Sequence, residues 1–341
     1  MKRTVLLIGM IALMKMQSLA QDPHFSQFFA SPLTLNPALT GKFDGIFRAA
    51  GNYRDQWPAI SKAFVTSTIS LDAPMLTSKI SPNDTWGIGL VAMTDRTANG
   101  ILTSNYISLS TAYHKGLDED GLYQLGFGFQ GTYASKRLDG TALHLEDGLK
   151  LDGTWETSPS EPVLNSQIAN VNFFDFNAGV LFNGSTDGYN NFYLGASMYH
   201  INRPRENFIQ SKGFYTLNPR LTIHSGGYFK VGETTTLHLN AIFSQQAGAN
   251  ETVLGGAVAF NLNNDMEEAP MNFYAGSWIR FNDAIIPYIG LEWSDFRLGT
   301  TYDVNYSNLK VGSQSRGGIE ISLIYIKRPP SGKKGIPCPK F

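Results

Sequence analysis

Polar and apolar side chains alternate along most of the chain. The segment 122–133 shows this best: from Tyr123 onward most odd positions are aromatic or Leu, and the even positions are Gln, Gly or Thr. Successive side chains of a β-strand point to opposite faces, so the pattern predicts strands with one apolar and one polar face. Strands buried on both faces would be apolar throughout.

The alternation repeats about fourteen times. Several segments reach the roughly nine to eleven residues with which a tilted strand crosses a bilayer. An even number of them favours a closed outer-membrane barrel. We therefore predict an all-β fold, a transmembrane antiparallel β-barrel of about 14 strands, with 12–16 compatible with uncertain boundaries. The alternative, a soluble β-sandwich or propeller, usually has shorter strands. The predicted strands are 45–54, 62–73, 85–96, 102–116, 121–137, 173–184, 190–202, 220–231, 234–246, 253–263, 272–281, 284–294, 297–305 and 317–327.

The connections differ in length between the two ends of this predicted barrel, 45–327. Long ones follow odd-numbered strands, at 138–172, 203–219 and 306–316, whereas most others are short. Outer-membrane barrels have short periplasmic turns and longer external loops. With the N-terminus on the periplasmic side, the long loops 138–172 and 203–219 are predicted to be external. The connections 74–84 and 264–271 are longer than this rule expects.

Residues 1–20 have the three parts of a secretory signal peptide. Lys2 and Arg3 precede the apolar stretch 5–14, and Ser18-Leu19-Ala20 is a small-residue cleavage site. The alternative, a transmembrane anchor, would need a longer apolar stretch. The protein is therefore predicted to be exported and to lie in the cell outer membrane.

Composition supports a barrel and excludes other classes. The 27 basic and 28 acidic residues nearly balance, which argues against nucleic-acid binding. Charged residues make up only 16%, while aromatic residues reach 12% and glycines number 34, as expected for a wall facing lipid. A single cysteine, Cys338, excludes an internal disulfide framework and a cysteine-cluster metal site.

The two ends of the chain break the alternation. Residues 21–44 contain prolines that interrupt strands and helices, and aromatic side chains that need burial. We expect this N-terminal plug or periplasmic segment to pack onto or into the barrel mouth, and the basic, proline-rich tail 328–341 to be periplasmic. The motif residues of the first block and the stretch after it are Asp22, Pro23, Phe25, Ser26, Gln27, Asn36, Pro37, Asn52, Tyr53, Arg54, Gln56, Trp57 and Pro58.

The N-terminal block, the Asn-Tyr-Arg-x-Gln-Trp-Pro stretch at 52–58 and Cys-Pro-Lys-Phe at 338–341 together resemble the PorP/SprF family of Bacteroidota. The resemblance implies an outer-membrane barrel of the type IX secretion system or its gliding-motility branch. It implies a non-enzymatic role that supports export of cargo or anchors adhesins with a type B C-terminal sorting domain. Partners in the secretion or motility machinery, including a peptidoglycan-linked periplasmic protein, are also implied. Lys340 stands where many relatives have arginine, which keeps the charge.

Signals for catalysis or metal binding are weak. The six histidines have no metal-binding spacing, and no Gly-x-Ser-x-Gly motif is present. Histidines 114, 200, 224 and 238 lie on predicted strands, so a barrel lipase is a minor alternative. No cofactor is expected. A structural calcium ion in loop 138–156 is conceivable through Asp139, Glu146, Asp147 and Asp152, although a solvated acidic loop is the simpler interpretation.

Charged side chains on the predicted inner face must be paired or solvated. They either stabilise the barrel or grip a polypeptide inside it. The polar and charged residues that alternation places on the inner face are Arg48, Asn52, Arg54, Asp72, Lys230, Glu292, Arg297, Asp303 and Glu320.

Partner binding is expected where the alternation is interrupted. In the external loops the aromatic residues Trp155, Phe208 and Tyr215 either anchor a partner or pack the loops down. On the periplasmic side the candidates are Cys338 and Phe341. The main functional alternative is a barrel of the FadL or porin type that transports small or hydrophobic solutes.

Overall fold

The computed structural model describes residues 22–60, 64–76, 83–187, 190–208, 215–263 and 271–328. Fourteen strands form a closed antiparallel barrel in which each strand pairs with its neighbours in sequence and β14 pairs with β1. This confirms the predicted fold class and strand number. The strands are β1 Phe47–Gln56, β2 Phe64–Met75, β3 Thr85–Thr97, β4 Leu102–Gly116, β5 Tyr123–Asp139, β6 Ile168–Ser185, β7 Asn191–Tyr199, β8 Arg220–Lys230, β9 Thr235–Gln246, β10 Ala249–Asn261, β11 Met271–Arg280, β12 Ala284–Trp293, β13 Phe296–Asn305 and β14 Arg316–Lys327.

The two ends of the barrel differ. We call the end that carries connections 140–167, 200–219 and 306–315 the long-loop end, and the opposite end the short-turn end. Within the described ranges no helix is long and apolar enough to cross a membrane. The helical turns are short and lie in the N-terminal segment or at the long-loop end. They are Phe28–Ala30, Pro32–Leu35, Pro37–Leu39, Ala98–Gly100, Gly140–Ala142, Glu146–Gly148, Pro162–Asn165 and Lys310–Ser313.

The alternation seen in the sequence separates the outside of the wall from the lumen. In β5, Phe127 and Phe129 are about half exposed on the outer face, whereas Gln124 and Gln130 are buried inside. The same division recurs in β4, where Leu109 is exposed and Ser110 is buried. The outer band is therefore apolar, and the polar residues must find partners in the lumen.

β6 begins five residues earlier than its alternation predicts. At its start Asn170 and Asn172 point outward, and Phe173 packs inward against Ala134 and Leu217. Polar residues on the outer face made this stretch resemble a loop in the sequence. The connection between β5 and β6 is consequently 140–167 rather than 138–172, and the loop after β7 starts at 200 rather than 203.

The β-sheet is irregular at β12, β13 and β14, next to charged side chains that point into the lumen. Pairing between β12 and β13 skips Ile286 and Pro287, and the register between β13 and β14 shifts between Asp303 and Val304. Proline has no N–H to donate to a ladder, which explains the first interruption. Asp303 therefore lies where the sheet is least regular.

Candidate functional site: a lumen filled by the N-terminal segment

Residues 22–46, which we call the plug, run through the lumen from the long-loop end to the short-turn end. Asp22 begins beside His200, in the loop after β7, with Asp22 Oδ2 and His200 Nε2 2.7 Å apart. The other end of the plug is fixed where the Ile46 N–H donates to the Lys327 carbonyl at 2.7 Å. The segment predicted to be a plug or a periplasmic segment thus lies inside the lumen and starts at the long-loop end. Sequence periodicity could not show this, because the segment has no period.

Four buried ions hold the plug near the long-loop end. We call Arg54, Arg280, Asp303 and Glu320 the lumen cluster; their formal charges cancel. Arg54 reaches Asp303 Oδ2 at 2.9 Å and Glu320 Oε2 at 3.3 Å, and Arg280 reaches Asp303 at 3.0 Å. All four side chains are nearly inaccessible to solvent. Buried ions are tolerated only when paired in this way.

Two consecutive plug residues complete the lumen cluster. The backbone N–H groups of Ser26 and Gln27 donate to the two carboxylate oxygens of Glu320, at 2.7 and 3.0 Å. The Ser26 hydroxyl donates to Asp303 at 2.8 Å, and Ser322 donates to the Gln27 side-chain oxygen at 2.7 Å. The Ser-Gln pair of the N-terminal motif therefore serves to dock the plug on β13 and β14.

Aromatic packing fixes the middle of the plug. Phe29 stacks on Trp278 with ring centroids 5.0 Å apart and meets Tyr288 edge-on at 5.5 Å. Trp278 and Tyr288 are themselves in edge contact. These rings from β11 and β12 form an apolar seat for the plug and belong to the hydrophobic core inside the barrel.

Asn36 anchors the plug to the opposite wall. Its amide nitrogen donates to the carbonyls of Val180 and Ala196 at 3.0 and 3.3 Å and lies 3.0 Å from His224 Nε2. Its side-chain oxygen accepts from the Ala38 N–H at 2.8 Å, which caps the turn Pro37–Leu39. This explains the predicted importance of Asn36-Pro37 in structural terms.

Glycines in the wall make room for the plug. A Cβ at Gly179 would lie 1.9 Å from Asn36 Oδ1, and one at Gly128 would lie 2.2 Å from the Ala38 nitrogen. A Cβ at Gly87 would lie 2.2 Å from the Thr40 carbonyl oxygen. Alternation of polar and apolar residues does not reveal these positions, although glycine inside a strand is a known signal of close backbone approach.

A second buried ion pair holds the plug at the short-turn end, where the plug leaves the lumen. Arg48 forms a two-pronged contact with Asp72, at 3.0 and 2.8 Å, and donates to the Leu39 carbonyl at 3.2 Å. Asp72 also accepts from the Gly41 N–H at 2.8 Å. Lys42 donates to Gln124 nearby. Both ends of the plug are thus held by charge-assisted hydrogen bonds.

Asp22, the first residue that the structure describes, belongs to a cluster of charged side chains at the long-loop end. His200 contacts Asp22 through one ring nitrogen and Asp175 through the other, at 2.7 and 2.9 Å, and Arg220 approaches Asp22 at 3.5 Å. Burial alone would lower the pKa of His200, but the two carboxylates outweigh it and raise that pKa to about 9. Although burial opposes it, the His200 and Arg220 charges lower the pKa of Asp22. Both groups are therefore charged at neutral pH.

The predicted motif residues divide between the plug and the second half of β1 with the two residues that follow it. Asn52 and Arg54 face the lumen, while Tyr53 faces outward and Gln56 accepts from Arg54 Nε at 3.3 Å. Trp57 leaves the strand with a positive φ of 55° and packs its ring on Phe64, ahead of the exposed Pro58. The residues that lie in the plug are Asp22, Pro23, Phe25, Ser26, Gln27, Asn36 and Pro37.

Most predicted lumen residues lie inside the barrel, with one exception. Lys230 is the last residue of β8 and is exposed at the short-turn rim, because the strand ends before the side chain is enclosed. Arg280 and Trp278 were missed, although in β11 they share the inner face with Tyr274. The predicted residues found inside are Arg48, Asn52, Arg54, Asp72, Glu292, Arg297, Asp303 and Glu320.

The loop candidates lie at the long-loop end. Trp155 is 44% exposed and packs on His144, and Tyr215 is 52% exposed, whereas Phe208 is half-buried. The two tail candidates, Cys338 and Phe341, lie outside the described residues.

Three of the four histidines that were considered as catalytic candidates contact the plug. His114 Nε2 lies 3.1 Å from the Thr40 carbonyl oxygen, His224 contacts Asn36, and His200 contacts Asp22. His238 instead stacks on Tyr228, with ring centroids 5.8 Å apart. Their positions fit a role in holding the plug.

The acidic residues of loop 138–156 have separate partners. Asp139 accepts from Thr141, Asp152 accepts from Thr154, and Asp147 accepts from Ser158 and Ser160. Hydrogen bonds from Ser160 and Ser158 lower the pKa of Asp147. Within the described ranges no group of three or more His, Cys, Asp or Glu side chains is arranged to hold a metal ion. A calcium ion here stays a prediction.

Comparison with known proteins shows both fold and family. The chain resembles the toluene transporters TbuX of Ralstonia pickettii and TodX of Pseudomonas putida, each at 10% identity and a TM-score of 0.50. The matches cover 88% of this chain and 93% of TbuX, and 91% of this chain and 96% of TodX. No curated protein matches. The family model for "Type IX secretion system membrane protein PorP/SprF" matches residues 17–325. The chain therefore belongs to the PorP/SprF family of type IX secretion system membrane proteins.

Proposed function

We propose that this protein is a non-enzymatic outer-membrane component of the type IX secretion or gliding machinery that binds another protein of the system. Its long-loop end faces the cell exterior and holds a cargo or adhesin with a C-terminal sorting domain. The family and the barrel fold point to an outer-membrane location. Short turns on the periplasmic side and longer loops outside are the usual arrangement of such barrels.

The filled lumen is the observation that carries this proposal. The plug occupies the barrel from one end to the other and is fixed to the wall at the lumen cluster, at Asn36 and at Arg48. Passage of a polypeptide would require all of these buried contacts to break. A role in binding at the barrel surface therefore fits the structure better than a role as the protein-conducting channel.

The long-loop end offers a preorganised surface for binding. Asn165 donates to the carbonyls of Gly140 and Leu143 at 2.7 and 2.9 Å, which ties the two ends of loop 140–167 together. Lys136 and Glu206, 2.8 Å apart, link the neighbouring loop to β5. Ordered loops lose less entropy on binding. Exposed aromatic residues on them, Trp155 and Tyr215, are suited to act as anchors.

The test is recovery of a partner from native outer membranes. We expect Trp155→Ala combined with Tyr215→Ala to reduce co-purification of the sorting-domain protein at least about tenfold. Val311→Ala, at an 83% exposed position in another long-loop connection, is the matched control and should have no effect. If crosslinking recovers neither a type IX component nor a sorting domain with the unaltered protein, the proposal is wrong.

A second candidate function is transport of a small hydrophobic solute. A cavity of about 540 Å³, including its open part, lies beside the start of the plug and is lined by Leu33, Val91, Met93, Tyr106 and Tyr199. A solute site flanked by a movable plug would suit this function. Val91→Asp should then abolish uptake of a radiolabelled fatty acid or toluene by whole cells while leaving partner recovery intact. Equal uptake with and without the protein would exclude it.

A further inference from the structure

Four neighbouring strands, β3 to β6, extend further at the long-loop end than the opposite side of the wall. They contain 13, 15, 17 and 18 residues, whereas β11, β12 and β13 across the barrel contain 10 each. The pairing between the four strands is regular up to Arg96 on β3 and Arg137 on β5. Paired residues point to the same face of a sheet, so the outward side chains form continuous rows across these strands.

The outward rows are apolar up to the row that contains Tyr133 and Phe174. These two side chains are 43% and 65% exposed, and their ring centroids lie 5.5 Å apart. On β5 the outward positions begin at Tyr123, ten residues before Tyr133. At about 3.3 Å per residue and a tilt of about 40°, ten residues rise roughly 25 Å, which is the height of the apolar band of an outer-membrane barrel. The row of Tyr133 and Phe174 therefore marks the edge of the lipid-facing band.

Two more rows follow beyond this edge, and both are polar. At the same tilt each row adds about 5 Å along the barrel axis, so they lie roughly 5 and 10 Å beyond the apolar band. We call them the polar rows. The lower row is Thr94, Asn105, Ser135 and Asn172, and the upper row is Arg96, Thr103, Arg137 and Asn170.

The polar rows offer hydrogen-bonding groups that the protein itself leaves unused. Arg96 and the three asparagines are exposed, and within the described residues their side chains make no hydrogen bond or ion pair. Arg137 is 47% exposed and makes a long ion pair with Asp139, at 3.7 Å. The rows therefore carry a net positive charge and free donors on the outer face of the wall.

The opposite side of the barrel ends differently. Ile285 on β12, Val304 on β13 and Ile319 on β14 lie near the long-loop ends of their strands and are 47%, 39% and 41% exposed. Their apolar side chains continue the lipid-facing band to the ends of these strands. The polar rows are therefore a feature of one side of the barrel, and the usual end of the apolar band does not account for them.

Position and chemistry together favour the headgroup of a phosphorylated glycolipid. The polar rows continue the lipid-facing band without a break, so lipid acyl chains lie directly next to them and the headgroups lie at their height. Arg96 and Arg137 are two strand spacings apart, about 10 Å, with Thr103 between them. Arginine binds phosphate through paired charge-assisted hydrogen bonds, and amide and hydroxyl side chains can bind the hydroxyl and amide groups of a sugar.

We propose that the polar rows bind the phosphorylated sugar headgroup of lipopolysaccharide, with Arg96 and Arg137 on its phosphates. The inference rests on the orientation given under the proposed function, in which the long-loop end faces the cell exterior. It does not depend on the loop residues Trp155 and Tyr215 or on the protein that they bind.

The test is the affinity of the full-length protein in detergent for purified lipopolysaccharide. We expect Arg96→Gln combined with Arg137→Gln to weaken binding at least about tenfold, because two charge-assisted contacts to phosphate are lost. Lys310→Gln combined with Arg316→Gln is the matched control. It removes the same charge from the same end of the barrel, at exposed positions beside β14, and should change the affinity less than about twofold.

Two further measurements accompany these variants. Lipopolysaccharide stripped of its phosphates should bind the unaltered protein and both double variants equally weakly. Heat-dependent migration in gel electrophoresis shows that each variant contains a folded barrel, so a loss of binding is not a loss of fold.

Equal affinities of the two double variants overturn the proposal. So does competition by inorganic phosphate at the same concentration as lipopolysaccharide, because the site then takes free phosphate. Unchanged lipopolysaccharide affinity together with lost recovery of the sorting-domain protein in the Arg96 and Arg137 variant also overturns it, because the rows then bind a protein.

Failure of the underlying orientation gives a different result. Protease added to intact cells should cleave loop 140–167 if the long-loop end is external. Cleavage only after the cells are broken overturns both the proposed function and this inference. Equal affinities in detergent, in contrast, overturn this inference alone and leave the orientation intact.

Discussion

The Arg54 guanidinium lies 2.9 Å from Asp303 Oδ2, although 249 residues separate the two in sequence. The contact spans the junction at which the barrel closes, because Arg54 lies on β1 and Asp303 on β13, with β14 between them. Ser26 of the plug donates to the same carboxylate. Closure of the wall and docking of the plug therefore depend on the same charges.

Breaking the lumen cluster should destabilise the barrel strongly. Removing one partner of a buried ion pair leaves a charge without compensation, and typically costs about 3–5 kcal/mol. We expect Arg54→Gln to lower the free energy of unfolding by about this amount, measured by urea unfolding in lipid vesicles. Arg137→Gln is the control, because its pair with Asp139 is exposed and long at 3.7 Å, so its loss should leave the free energy of unfolding nearly unchanged. Similar losses in both variants would contradict a special role for the cluster.

A methyl group at a wall glycine should displace the plug. Gly179→Ala puts a Cβ 1.9 Å from Asn36 Oδ1, which forces plug and wall apart at a cost of about 1–3 kcal/mol. We expect faster proteolysis of the plug in the folded barrel. Gly131→Ala, where a Cβ would make ordinary contact at 3.8 Å with Phe176, should behave as the unaltered protein does. Equal protease resistance of both variants would show that the plug does not need this glycine.

The anchoring of Asp22 should weaken in alkali. The pKa of His200 rises from its ordinary value of 6.5 to about 9, so its stabilisation is fully present below pH 6.5 and is lost as the pH rises through 9. Asp22 has a lowered pKa, so its contribution disappears only in acid, below its ordinary value of 3.8. We expect unfolding free energy to fall by roughly 3 kcal/mol between pH 6.5 and 10.

The matched variant for the pH experiment is His200→Gln. It lacks the titrating ring, so its stability should change less over the same pH range. Parallel pH curves for the two proteins would show that His200 does not carry the effect.

Loop 140–167 at the long-loop end should loosen without affecting the barrel. Asn165→Ala removes three hydrogen bonds, two that its amide donates to the carbonyls of Gly140 and Leu143 and one that it accepts from the Ser158 N–H, a loss of about 1–3 kcal/mol confined to the loop. We expect rapid cleavage of the loop by added protease and weaker partner recovery, with unchanged unfolding of the barrel. Ser166→Ala, at an exposed neighbouring position, should leave cleavage as it is. Cleavage that stays slow in Asn165→Ala would mean that other contacts order the loop.

The strands can be predicted from the amino-acid sequence alone. A period of two is a local property, so fourteen strands, their apolar outer face and their inward charges could be predicted from neighbouring residues alone. The family motifs were also readable, because Ser26, Gln27, Asn36 and Arg54 lie in short continuous stretches. Where polar residues face outward, as at Asn170 in β6, the same local signal failed.

The contents of the barrel, in contrast, become visible only in the folded protein. The plug has no period, and its partners Glu320, Asp303 and His224 are distant in sequence, so its path and direction could not be derived from alternation. The same holds for Gly179. A side chain is excluded at this position only because Asn36 packs against it in the folded barrel. Contacts across a closed lumen depend on closure itself, and closure brings together residues that no local pattern connects.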